Sequence, residues 1–139
     1  MSPEFVDTNV LLYAHDPQAG HKASIALDLV RRLASERAGA LSIQVLQEFY
    51  VNATKKLALP LSNSEAAQQV WLLSSWTVHA PRASDVVEAI RIATDNTISF
   101  WDAMIVRSAS ALGCGTLWTE DLNHGQQIEG VTIINPFAN

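Results

Sequence analysis

Short apolar runs alternate with stretches of helical periodicity along the chain. The apolar runs are bounded by turn residues, which predicts strands at residues 4–6, 40–43, 76–80, 115–119 and 131–135. Apolar positions three or four apart predict helices at residues 9–15, 22–37, 44–56, 62–74, 84–94 and 99–112. Strands alternating with helices predict an α/β fold, in which a mainly parallel, twisted central sheet of four to five strands is covered by helices on both faces.

The composition fits one globular domain over residues 1–139. Hydrophobic residues make up 48% of the chain, and no repeat, low-complexity tract or linker interrupts it. A single cysteine, Cys114, excludes an intrachain disulfide, and we expect it to be a buried thiol. No apolar run approaches the roughly 20 residues of a membrane-spanning helix, and the first residues lack a signal-peptide pattern. We therefore expect a cytoplasmic protein that does not enter a membrane.

The net charge of −5 argues against a protein whose whole surface attracts nucleic acid. If four carboxylates were gathered on a metal ion, however, the remaining charge would be −5 + 4 = −1. The nine basic residues then leave room for a local basic patch. The closest to clusters are Arg31, Arg32, Arg37, Lys55 and Lys56, and we expect most of these to be solvated positions on helices.

Four acidic residues fall where the predicted fold brings distant segments together. Asp7 and Asp121 come just after strands, and Asp102 opens the apolar helix that runs back before the next strand. Glu48 lies near the start of the helix after the second strand. The carboxyl edge of a parallel sheet is where open α/β folds bind their ligands, so we expect all four carboxylates to project there.

Carboxylates grouped in this way either share protons or bind a cation. Four oxygen ligands without a histidine or cysteine partner suit Mg²⁺ or Mn²⁺. Such an ion activates water and neutralises the charge on a phosphate, which are the requirements of phosphodiester hydrolysis. One or two ions are compatible with the pattern.

Each of these acids also has a purely structural explanation. Asp7 could cap the first helix, and Asp121 could be an ordinary loop acid. Glu48 lies on the flank of the buried stripe of its helix, so the periodicity does not decide its role. Asp102 has capping-box spacing from Ser99, but it also lies within an otherwise apolar segment, residues 100–106, where an unpaired carboxylate is costly.

The chain resembles the PIN-domain ribonucleases of the toxin type found in bacterial VapBC toxin–antitoxin pairs. The resemblance is carried by FVDTN at 5–9, QEFY at 47–50, SFWDA at 99–103, TEDL at 119–122 and the tail at 123–137. It implies that Asp7, Glu48, Asp102 and Asp121 bind the metal ion. It also implies that Thr119 orients Asp121 or a water molecule, with Thr8 or Asn9 in a similar supporting role. We expect Glu120 to point elsewhere.

The resemblance further implies an RNA substrate, a homodimer and a small antitoxin protein that docks beside the active site. Hydrophobic residues of the early helices could form a groove for the antitoxin, although most of them are also candidates for the core: Leu11, Leu12, Tyr13, Val51 and Leu57. The four tryptophans could stack on bases, but core packing is the expectation for Trp71, Trp76, Trp101 and Trp118. Two other functions remain open: a non-catalytic binding module with this fold, and another metal-dependent phosphohydrolase.

Overall fold

A computed structural model describes residues 2–138, which form six strands and six α-helices; two α-helices follow each of the first three strands, and the last three strands follow one another directly. The strands are β1 (Glu4–Val6), β2 (Gly39–Ser42), β3 (Thr77–His79), β4 (Thr116–Trp118), β5 (Gln127–Ile128) and β6 (Val131–Ile134). The helices are α1 (Thr8–Ala14), α2 (His21–Glu36), α3 (Ile43–Lys55), α4 (Asn63–Leu73), α5 (Ala83–Asn96) and α6 (Phe100–Ala111).

The strands form one sheet in the order β3-β2-β1-β4-β6-β5. All neighbouring pairs are parallel except β5 and β6. The predicted α/β fold with a mainly parallel sheet and flanking helices is therefore confirmed. The predicted strand number was too low, because β5 has only two residues and gives no periodic signal. A tight turn at Glu129 and Gly130, both with positive φ, joins β5 to β6, and Glu-Gly is a weaker turn signal than Asn-Gly.

The central strands are buried, which explains why they appear in the sequence as short apolar runs. Phe5, Leu41, Leu117 and Ile133 have no solvent-exposed surface. Each such side chain contributes about 1.5–3 kcal/mol through burial. Cys114 is buried as expected.

The expectation that all four tryptophans pack in the core is wrong for two of them. Trp76 and Trp118 are partly buried against the core, whereas Trp71 is 77% exposed and Trp101 is 64% exposed. Trp71 lies on α4 beside Leu72, which is also exposed, and Trp101 is the second residue of α6; both side chains extend into solvent. Among residues 2–138, no helix is long and apolar enough to cross a membrane.

Candidate active site

The four predicted acids line one cleft of about 230 Å³ at the carboxyl edge of the sheet. Asp7 directly follows β1, and Asp121 follows β4, the parallel neighbour of β1. Glu48 lies one turn into α3, which begins where β2 ends and is capped by Ser42. Asp102 lies in the first turn of α6. We call this site the carboxylate cleft, defined by Asp7, Glu48, Asp102 and Asp121.

Asp7 is the most buried of the four acids, with 5% of its surface exposed. Its Oδ1 accepts a hydrogen bond from the Thr8 amide at 2.7 Å, and its Oδ2 accepts one from Thr119 Oγ1 at 2.8 Å. Burial raises the pKa of Asp7 to about 7, against the effect of these hydrogen bonds. The nearby charges of Asp121 and Glu48 are smaller contributions to the same rise. The negative charge of Asp7 is therefore poorly compensated within the protein.

Asn9 and Thr119 connect Asp7 to Asp121. The Asn9 Nδ2 group lies 3.3 Å from Asp7 Oδ2 and 3.0 Å from Asp121 Oδ2, and it donates to both carboxylates. Thr119 is fully buried, and its Oγ1 accepts a hydrogen bond from the Asp121 amide at 3.1 Å while it donates to Asp7. The Thr119 hydroxyl thus fixes the carboxylate of Asp7 and the backbone of Asp121.

Glu48 and Asp102 face the same cleft from two helices. Thr8 Oγ1 donates to Glu48 Oε1 at 2.8 Å, and Gln44 Nε2 lies 3.4 Å from Glu48 Oε2. Ser99 Oγ accepts a hydrogen bond from the Asp102 amide, but the reciprocal bond of a capping box is not formed here. The carboxylate of Asp102 therefore remains available to the cleft. Burial raises the pKa of Asp102, as do the charges of Asp121 and Glu48, while the Ser99 hydroxyl opposes the shift.

Among residues 2–138, no lysine, arginine or histidine forms an ion pair with any of these four carboxylates. Glu120 differs from them, although it is adjacent to Asp121. It binds Lys22 Nζ at 2.6 Å and accepts a hydrogen bond from the Tyr13 hydroxyl, so it is turned to another set of partners as expected. The cleft acids therefore lack the counter-charge that Glu120 has.

The donor set of the cleft fits a hard divalent cation, because every charged group that lines it is a carboxylate. Within the described chain, no three acidic, histidine or cysteine side chains already stand close enough together to enclose an ion. The four carboxylates would therefore hold an ion only together with water and substrate phosphate, which Mg²⁺ usually retains among its ligands.

Sequence reasoning missed several residues that line the cleft. Gln44 and Asn52 are polar and lie four residues before and after Glu48, on the same face of α3. The four-residue spacing from Glu48 could have identified both residues from the sequence. Trp101 also lines the cleft, and its backbone carbonyl accepts a hydrogen bond from Gln44 Nε2 at 3.3 Å.

The residues proposed as the wall of an antitoxin groove lie in three different places. Leu11 is buried in the core, and Leu12 lines the carboxylate cleft. Val51 is 49% exposed and lies in a separate apolar groove between α3 and α4, which is also lined by Ile43, Leu46, Tyr50, Ala67 and Val70. Leu57 and Tyr13 pack against the core.

Comparison with known proteins shows the same fold in a group of toxins. A toxin–antitoxin complex from Klebsiella pneumoniae has a TM-score of 0.71 at 18% identity, over 96% of this chain and 98% of that chain. A DNA-bound VapBC complex from Salmonella typhimurium has a TM-score of 0.66 at 19% identity, over 96% and 97% of the two chains. A Mycobacterium tuberculosis VapC toxin that cleaves the sarcin-ricin loop has a TM-score of 0.64 at 20% identity, over 84% and 90%.

At these identities the similarity establishes the fold only. A search of curated proteins finds no match. The family model of the PIN domain matches residues 5–127, which is most of the chain. The chain therefore belongs to the PIN domain family.

Proposed function

We propose that this protein is an endoribonuclease that depends on Mg²⁺ or Mn²⁺ and hydrolyses RNA phosphodiester bonds in the carboxylate cleft. The observation that carries the proposal is the convergence of four carboxylates, from four separate segments, in a cleft where none has a basic partner among residues 2–138. When bound, a divalent ion lowers the pKa of water and neutralises the charge that develops on the phosphate.

Asp7, Glu48, Asp102 and Asp121 would hold the ion, with water completing its coordination. The residues around them fix these carboxylates before the ion arrives. Thr119 and Asn9 hold Asp7 and Asp121 through the hydrogen bonds described above, and Thr8 holds Glu48. Partners that orient a ligand in this way typically change metal affinity or activity by about 10- to 100-fold when they are removed.

The biological role that we infer is that of a toxin, neutralised by a small antitoxin protein that docks beside the cleft. The similarity to the solved toxin–antitoxin complexes supports this role, because it extends over nearly the full length of both chains. A homodimer that acts on RNA in the cytoplasm belongs to the same proposal. Expression of this chain alone should arrest bacterial growth, and an antitoxin encoded beside it should relieve the arrest. Normal growth on expression of an active nuclease would refute the toxin role.

The nuclease activity can be tested with purified protein that is free of any antitoxin. Total RNA is incubated with Mg²⁺, with Mn²⁺ and with a chelator, and the cleavage sites are mapped. Asp7→Asn and Asp102→Asn should each lower the rate by more than about 100-fold, because metal catalysis contributes several kcal/mol to the barrier. Asp28→Asn, at an exposed position on α2, is the matched control and should retain activity. Cleavage that persists in chelator, or in both cleft variants, would refute the mechanism.

A further inference from the structure

Asp121 is the exposed member of the carboxylate cleft, and it lies in an irregular segment, residues 119–126, between β4 and β5. The other three acids stand within a helix or at its N-cap. Asp121 Oδ2 accepts a hydrogen bond from Asn9, and the Asp121 amide donates to Thr119. The direction of this carboxylate therefore depends on how the backbone of the segment is held.

Glu120 fastens the same segment to two helices. Its Oε1 accepts a hydrogen bond from the hydroxyl of Tyr13 on α1, and its Oε2 forms an ion pair with Lys22 Nζ on α2 at 2.6 Å. Its backbone amide donates to Asn9 Oδ1 at 3.2 Å. We call Tyr13, Lys22 and Glu120 the loop clamp. Because both of its carboxylate oxygens are bound within the clamp, Glu120 anchors the segment and leaves the cleft to its neighbour.

Helix α1 links the loop clamp to the cleft. Asn9 and Tyr13 are four residues apart, so they share one face of α1. Asn9 binds the Asp121 carboxylate and the Glu120 amide, while Tyr13 binds the Glu120 carboxylate. Two consecutive residues of the segment are thus fixed to one helix face, which leaves the backbone of Asp121 little freedom to turn.

Aromatic rings support the clamp. Lys22 Nζ lies 5.1 Å from the ring centroid of Tyr13 and 5.4 Å from that of Phe137, within the range of cation–π attraction. The rings of Tyr13 and Phe137 pack edge-to-face with their centroids 5.1 Å apart. The side chains of Lys22 and Glu120 are 35% and 25% exposed, and salt screens a partly buried pair less than an exposed one. The clamp therefore holds its geometry better than two solvated charges would.

We propose that the loop clamp positions Asp121 and in this way sets the affinity of the carboxylate cleft for its divalent ion. The inference rests on the proposed function and adds to it three positioning residues that do not themselves touch the ion. It also divides the two adjacent acids of the segment between different tasks, because Asp121 is a ligand and Glu120 holds it in place.

Lys22→Met is a variant for which positioning and charge predict opposite signs. Removing a positive charge near an anionic cleft should tighten the binding of a cation if Coulomb attraction alone acts. Loss of the clamp should instead raise the Kd for Mn²⁺ by about 10-fold, the lower end of the range for residues that orient a ligand. Lys22→Arg should recover part of the affinity, because it keeps a cation for Glu120.

Arg32→Met is the matched control. It removes a positive charge from the same helix and breaks the ion pair of Arg32 with Glu4, whose side chains are 41% and 22% exposed. Glu4 begins β1, at the opposite end of the strand from Asp7. This variant should bind Mn²⁺ at least as tightly as wild type does.

Tyr13→Phe tests the clamp without changing any charge. It removes one hydroxyl and keeps the ring against Phe137, so the fold should be retained. We expect a higher Kd for Mn²⁺ in this variant and in Glu120→Gln. The loss in the double variant should be smaller than the sum of the two single losses, because both substitutions break the same contact.

The Kd is measured without RNA, by electron paramagnetic resonance of free Mn²⁺, so that a contact of Lys22 with the substrate cannot contribute. In cleavage assays the Mn²⁺ concentration for half-maximal rate should rise by the same factor, while kcat at saturating Mn²⁺ stays near the wild-type value. A merely structural role would lower the free energy of unfolding in chelator and leave the Kd unchanged.

Failure of this inference and failure of the proposed function have different signatures. An unchanged or lower Kd in both Lys22→Met and Tyr13→Phe would overturn the clamp, even if wild type cleaves RNA. Wild-type protein that binds Mn²⁺ and cleaves no RNA would refute the ribonuclease function, whereas the order of the Kd values would still decide the role of the clamp.

Discussion

Replacing Asp7 by asparagine should stabilise the metal-free protein, by an amount that grows as the pH rises. The Asp7 carboxyl is buried, and its pKa is raised from 3.8 to about 7 in the folded state. Folding therefore favours the protonated form. Below about pH 4 the carboxyl is protonated in both the folded and the unfolded state, and its contribution to stability is fully present. As the pH rises from there through about 7, the unfolded state ionises freely whereas the folded state pays the cost of a buried charge, so this contribution is lost.

The size of the effect follows from the shift of about three pH units. At 1.36 kcal/mol per unit, the full penalty is about 4 kcal/mol, an order-of-magnitude value, and about 2–3 kcal/mol of it develops between pH 5 and pH 8. In the Asp7→Asn variant the amide oxygen can still accept from the Thr8 amide, and the amide nitrogen can donate to Thr119 Oγ1. Any cost of this rearrangement is independent of pH and cancels when the two pH values are compared.

The assay is urea unfolding of wild type and Asp7→Asn in chelator at pH 5, 6, 7 and 8. The difference in the free energy of unfolding should increase in favour of Asp7→Asn by about 2–3 kcal/mol over this range. Carboxyls with a lowered pKa, such as Glu4 beside Arg32, follow the opposite trend, but they are common to both proteins.

Two controls define what the result means. Saturating Mg²⁺ should restore wild-type stability at pH 8 and have little effect on Asp7→Asn, since an ion that binds only the folded state adds about 2.7 kcal/mol at a hundred times its Kd. A difference between the proteins that stays flat from pH 5 to pH 8 would refute the reasoning from burial. A similar increase in Asp28→Asn would assign the effect to net charge instead.

Three further outcomes are expected. Thr119→Val should lower RNA cleavage by about 10- to 100-fold while the protein stays folded, because it removes the hydroxyl that fixes Asp7; wild-type kinetics would exclude that role. Gly39→Ala should destabilise the protein by about 1–3 kcal/mol in thermal or urea unfolding, because a Cβ there would lie 2.3 Å from the Trp76 ring. Cys114, whose pKa burial raises to about 12, should react with a thiol reagent only after denaturant is added, and rapid labelling of native protein would contradict its burial.

The arrangement of the acids was largely predictable because it follows from chain order. Asp7 and Asp121 each come after a strand, and parallel neighbouring strands end at the same edge of a sheet. That the four side chains bind an ion stays a prediction, since a position in a cleft is not a measurement of binding.

Other features depend on tertiary contacts that no periodicity encodes. Segment 100–106 is apolar at every position except Asp102, so the pattern could not distinguish the exposed Trp101 from its buried neighbours. Gln44 links α3 to α6, because its side-chain amide lies between Glu48 and the Trp101 carbonyl. This contact depends on the packing of the two helices and leaves no periodic signal in the sequence. The two-residue strand β5 forms because β6 offers it an edge, and its own residues carry no strand pattern.

The hydrogen bonds across the cleft join residues that are far apart in the chain, and this separation has a consequence during translation. Asn9 and Asp121 are 112 positions apart, as are Asp7 and Thr119. Contacts of such high sequence separation cannot form until the later segment has left the ribosome. A nascent chain, or a fragment released early, therefore carries at most part of the carboxylate set. The site is therefore complete only after the segment that carries Thr119 and Asp121 has left the ribosome.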